Sequence, residues 1–143
     1  MAPIEVKTMY DSQLNVMITF FSGTIGGLAE IETITDGIVS SFEQINEQRL
    51  WFVSDFTGII SRPDDISTSI IVRKIHPKLG NLFKKRTLGR VVVAKQQNYY
   101  IKTFVSLLGA IIGKKAHVCE TLEQALAYIE KQKQALKRVA SNS

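Results

Sequence analysis

The chain has few of the residues that staple or punctuate small proteins: one cysteine, three prolines and two histidines in 143 residues. A lone thiol, Cys119, cannot form a disulfide within the chain or complete a cysteine zinc site, and this points to a reducing, cytoplasmic compartment. The amino terminus, Met-Ala-Pro-Ile-Glu, shows no basic stretch followed by an apolar run, so no signal peptide is expected. No apolar run approaches the roughly 20 residues a membrane span requires, and the richest, Thr103 to Ile112, fits a core helix. With 45% hydrophobic and 22% charged residues, collagen and disorder are excluded. One domain spanning residues 1–143 is expected rather than a two-domain enzyme. At this length it would bury roughly two thirds of its unfolded surface.

What the chain does have is polarity. The net charge of +5 hides two unlike halves. Residues 1–72 carry three basic side chains against ten acidic ones, a net of −7, whereas residues 73–143 carry fifteen against three, a net of +12. Such asymmetry hints at an interaction surface, provided the two halves do not interleave in space.

Hydropathy patterning gives the elements. Ile4 to Met9 and Asn15 to Phe21 read as a hairpin around a polar turn, closed by Ser22-Gly23. Leu28, Ile31, Ile34, Ile38, Phe42 and Ile45 keep a helical period, with Gly37 marking a break or a close contact. Leu50-Trp51-Phe52-Val53 is an unbroken apolar run that reads as the central strand, covered on both faces and ending at Ser54-Asp55-Phe56-Thr57-Gly58. Pro63 to Phe83 is helical in spacing, bent or divided at Pro77, and stopped by Gly89. Arg90 to Ala94 is a β-branched strand, Ile101 to Ile112 a core helix and Ala116 to Cys119 a last short strand. Thr121-Leu122-Glu123-Gln124 is a capping box opening a final helix that buries Leu122, Ala125, Leu126, Ile129 and Leu136. The core spans about 4–134, and 137–143 should fray into a basic tail. Strands alternating with helices require right-handed crossovers. The predicted class is therefore α/β, a mainly parallel sheet of about five strands with an antiparallel hairpin at the start.

The order resembles the SpoIIAA-like, or STAS, fold, especially bacterial STAS/SEC14-like proteins. The likeness is carried by Phe20-Phe21-Ser22-Gly23, Leu50 to Asp55, Arg90 to Ala94 and Val118 to Leu126. It implies a non-catalytic bacterial module that binds a protein partner or, in some relatives, nucleotides or apolar ligands. In the anti-sigma-factor antagonists of this fold, an Asp-Ser-Ser-Gly stretch at a helix start is phosphorylated. Here the nearest text is Asp64-Asp65-Ile66-Ser67-Thr68, which lacks the Gly and the paired hydroxyls directly after Asp.

Partner contacts are accordingly expected at Asp55, Thr57, Ser67 and Thr68, near the carboxyl ends of the strands. Asp55 has a plainer reading too, as a turn residue bonding its own backbone. A second reading is a carrier or sensor of a small apolar or anionic ligand. In it, Trp51, Tyr99, Tyr100 and Phe104 form a pocket, and Lys84, Lys85 and Arg86 draw in the head group. That basic cluster has no interleaved aromatics or nucleic-acid motif, so nucleic acid is not expected, while contact with a membrane surface stays open. His76 and His117 lack the ligand set that zinc requires, Cys119 reads as a buried structural thiol, and no cofactor or catalytic residue is expected. The charge halves would also permit pairing of two copies.

Overall fold

The structure is a computed structural model describing residues 2–46, 49–61, 75, 77–95, 99–112 and 115–141. Among these the element order is β1 (Glu5–Asp11), β2 (Val16–Ile25), α1 (Leu28–Gln44), β3 (Leu50–Ser61), α2 (Leu79–Arg86), β4 (Thr87–Val93), α3 (Tyr99–Ile112), β5 (His117–Cys119) and α4 (Leu122–Ser141). The five strands form one sheet in the order β1-β2-β3-β4-β5. β1 runs antiparallel to β2, and every later pair is parallel. The expected class holds, with β3 at the centre.

Each parallel crossover steps the same way across the sheet, so crossovers of one hand place their helices on one face. Ile31, Ile34 and Phe42 of α1, Leu79 and Phe83 of α2, and Ile101 and Val105 of α3 pack there against Met17, Phe21, Phe52 and Val92. α4 follows the last strand and covers the other face, where Ala125 and Ile129 meet Val16, Ile18, Trp51, Val53, Val91 and Val93. Among the described residues the sheet thus lies between three helices and one. Burying one such Leu, Ile or Phe side chain contributes roughly 1.5–3 kcal/mol before chain entropy is subtracted.

Several boundaries differ from the sequence reading. β2 does not stop at Ser22-Gly23 but runs to Ile25, still paired with β3. Gly23 has φ +118°, and a β-carbon there would lie 2.3 Å from the Pro3 carbonyl oxygen, so glycine is needed to continue the strand. β3 likewise runs past Asp55 to Ser61. Phe20 faces Asp55 while Ser22 faces Gly58, so β3 holds one extra residue in a bulge. The bulge turns both Phe56 and Ile59 toward the three-helix core, where Phe56 stacks on Phe21 at 4.8 Å.

Gly89 does not stop a helix; it lies inside β4, directly opposite Trp51. Gly37 is a close contact rather than a break, because a β-carbon there would meet Val6 at 2.8 Å. Of the predicted helical stretch 63–83, residues 63–74 and 76 lie outside the described residues, and α2 begins after Pro77. Leu136 is not buried. It is 61% exposed, Val139 is 68% exposed, and α4 stays helical to Ser141 instead of fraying at 137. The sheet ends before that part of the helix does. The capping box is present: Thr121 Oγ1 accepts from Gln124 N at 3.2 Å, and Gln124 Oε1 accepts from Glu120 N, one residue before the cap, at 2.9 Å.

Candidate functional site

Strand order settles where the charges go. Because neighbours in sequence are neighbours in the sheet, β1, β2, α1 and β3 lie toward one edge and β4, α3 and β5 toward the other, while α4 crosses the opposite face and its Lys133 reaches the Leu14 carbonyl in the acidic half. β1, α1 and β3 hold Glu5, Asp11, Glu30, Glu32, Asp36, Glu43 and Asp55, with Lys7 their one cation. α2, β4, α3 and β5 hold Lys84, Lys85, Arg86, Arg90 and Lys102. No carboxylate occurs in the sequence between Asp65 and Glu120.

On the basic side a groove of about 450 Å³ opens between α3 and β5. Val105 and Gly109 of α3 and Val118 of β5 give it an apolar floor, and Lys102 and Lys115 stand at its margins. Val118 pairs with Val92, which belongs to the three-helix core, so its side chain is directed to the α3 side of the sheet. It is 40% exposed there, at the outermost strand.

Asp55 and Thr57 do come together, but on each other. Asp55 Oδ1 accepts from Thr57 N at 2.9 Å and from Thr57 Oγ1 at 2.6 Å. The carboxylate is buried and binds the backbone amide at the bulge. This matches the plainer, backbone-bonding reading, placed within a strand rather than at its end.

The register also aligns Asp55, Val93 and Cys119 across three strands. Burial pushes the Cys119 thiol above its ordinary range, and the negative charge of Asp55 adds to the effect. Ser67 and Thr68, the other two residues of that group, lie outside the described residues.

Of the pocket expected from Trp51, Tyr99, Tyr100 and Phe104, only the Trp51 side chain is among the described ones; the side chains of Tyr99, Tyr100 and Phe104 lie outside them. Trp51 belongs to the cluster under α4, whereas α3, which carries the other three, packs on the opposite face. Residue 51 falls on the alternate of the β3 pleat that faces α4.

The basic cluster of α2 divides as well. Arg86 donates to the Phe42 carbonyl at 2.7 Å and the Ile45 carbonyl at 2.5 Å, and its guanidinium lies 5.5 Å from the Phe42 ring centroid. It thereby closes the carboxyl end of α1. Lys84 and Lys85 are exposed on α2.

Sequence reasoning missed Lys102, Lys115 and Val118. A signal existed: Ser106, Gly109 and Ala110 fall on one side of an otherwise apolar helix, at the spacing of residues that share a helical face. Small residues there keep the helix low beside the strand. Arg90, which the sequence groups with the basic cluster of α2, is instead buried with its guanidinium 4.2 Å from the Phe83 ring centroid. Burial lowers its pKa from the ordinary arginine range to about 10, leaving it protonated at neutral pH. Among the described residues no group of three or more His, Cys, Asp or Glu could hold a metal ion, and no helix is long and apolar enough to cross a membrane.

A five-stranded sheet with one antiparallel edge, three crossover helices on one face and a terminal helix on the other defines a SpoIIAA-like α/β fold. A solved structure of this kind is that of an uncharacterised protein of the DUF3478 family, with a SpoIIAA-like fold, from Shewanella loihica PV-4. The two superpose with a TM-score of 0.54 at 12% identity, over 90% of this chain and 95% of that one. At that identity the likeness speaks for the fold alone. No protein-family model matches the sequence, and no curated protein matches it.

Proposed function

We propose that the chain is a non-catalytic, STAS-like regulatory module that engages an acidic protein partner through its basic side. The observation carrying this reading is the segregation of charge by strand order, which sets an apolar-floored groove flanked by Lys102 and Lys115 in a region of the chain free of carboxylates. Complementary potential of this sort steers encounter and rejects wrong partners. The SpoIIAA-like fold is consistent with such a role.

Panning the immobilised chain against random linear peptides of about 12 residues tests it, the charge complementarity predicting net-negative binders whose affinity falls as salt rises. Enrichment of neutral or basic sequences, or of none, removes the reading. The shape of the same groove favours one alternative, a carrier of a small anionic molecule with an apolar body. Native mass spectrometry of the freshly purified chain separates the two, since a carrier retains a bound mass and the interaction module does not.

A further inference from the structure

Resting on the reading just given, we infer that the partner binds as an extended acidic segment added as a sixth strand beside β5, its alternate side chains laid into the groove against α3.

Three observations converge. First, among the described residues β5 is the outermost strand of the sheet and is paired on one side only. The Cys119 carbonyl accepts from Ala94 N at 3.0 Å, so the alternation of a parallel strand turns the amide and carbonyl of Val118 outward. Second, the groove lies along this same margin and is bounded by α3, the arrangement in which an added strand gains main-chain bonds from the edge and side-chain selectivity from the helix.

Third, the ends of the site are defined. Beyond Cys119 the Glu120 amide is taken by Gln124 Oε1, so pairing cannot continue in that direction. On the other side Lys115 stands at the margin.

The segment's chemistry follows from these contacts. Strand side chains alternate, so residues facing Val118, Val105 and Gly109 should be small and apolar. The carboxylates should fall where Lys102 and Lys115 reach them. A helical ligand would meet neither requirement, because it offers the Val118 amide no backbone partner. The short length of β5 has its own logic: three residues are too few to template edge-to-edge aggregation, and the lysines select among the strands that remain.

The test uses a peptide enriched in the panning experiment, titrated against the full chain. Reversal of both margin charges in Lys102→Glu/Lys115→Glu should weaken binding by about tenfold or more, with the thermal midpoint unchanged because both are surface positions. Hydrogen exchange at the Val118 amide should slow in the complex. N-methylation of peptide amides should abolish binding at alternate positions and be tolerated between them. If enriched peptides bind the double-charge variant as tightly as wild type, the groove is not the site and the inference falls. If binding needs the two lysines yet Val118 is unprotected and every N-methyl position is tolerated, strand addition is overturned while the interaction module stands.

Discussion

The indole of Trp51 lies over the backbone of Gly89 on the adjacent strand, so closely that a β-carbon on residue 89 would sit 2.3 Å from Cζ3. The two residues are direct partners in the β3–β4 ladder, and the indole fills the space that a side chain on β4 would otherwise take. Gly89→Ala should destabilise the fold by about 1–3 kcal/mol through overpacking. Urea unfolding followed by far-ultraviolet circular dichroism measures this. The double variant Trp51→Leu/Gly89→Ala should lose less than the sum of the two single changes, since the clash is gone.

Cys119 should react slowly. Its thiol is pushed up by burial and by the Asp55 charge, so the thiolate fraction at a given pH is below that of a free cysteine. Iodoacetamide labelling at pH 8 should lag behind a cysteine-containing peptide and catch up as pH rises. Asp55→Asn removes the charge and should speed labelling; an unchanged rate would mean that burial alone sets it. The same substitution weakens the acceptor for the Thr57 amide and hydroxyl, with a stability loss of about 1–2 kcal/mol.

Arg90 gives a stability difference that depends on pH. Its folded pKa, about 10, lies below the ordinary arginine range, so folding disfavours the protonated form. The penalty is fully present below about pH 10 and fades as pH rises above it. The stability of Arg90→Met relative to wild type should therefore be constant from about pH 7 to 9 and shift in favour of wild type above 10. Urea midpoints of the two proteins at pH 8 and 10.5 measure it.

Leu136 and Ile129 sit on the same helix and should behave in opposite ways. Ile129 is buried against the sheet, and Ile129→Ala should cost about 2–4 kcal/mol. Leu136 stands in solvent, and Leu136→Ser should stay within about 0.5 kcal/mol. A large loss at Leu136 in a concentration-dependent melt would instead mean that a second copy covers it.

Much of this was legible in the sequence because periodicity reports burial directly. The apolar stretches Val16 to Phe21 and Leu50 to Val53 reflect strands packed on both faces, and the helical spacing of Ile31, Ile34 and Ile38 reflects one helix face packed in the core. Strand ends were less legible, for one reason. Gly23 and Gly89 look like punctuation, yet each lies within a strand where a neighbouring group approaches too closely for a β-carbon, the Pro3 carbonyl and the Trp51 ring, and at Gly58 the Phe21 carbonyl leaves a tight 3.0 Å. A glycine placed for lack of room reads the same as one placed for a turn. The groove was missed because it belongs to no single segment. Lys102 and Lys115 come together only once β5 is known to be the outermost strand. Trp51 was grouped with Tyr99 because nothing in a linear text shows which side of a sheet a given helix will cover.

A sheet whose strands lie in the order of synthesis has a kinetic consequence. Each new strand docks on the one before it, and proteins rich in such local pairings fold faster than those that must join distant segments. The sheet can therefore grow as the polypeptide leaves the ribosome, from the β1–β2 hairpin outward. Its bare second surface is sealed last, when α4 is laid across it and Lys133 reaches back to donate to the Leu14 carbonyl at the hairpin turn.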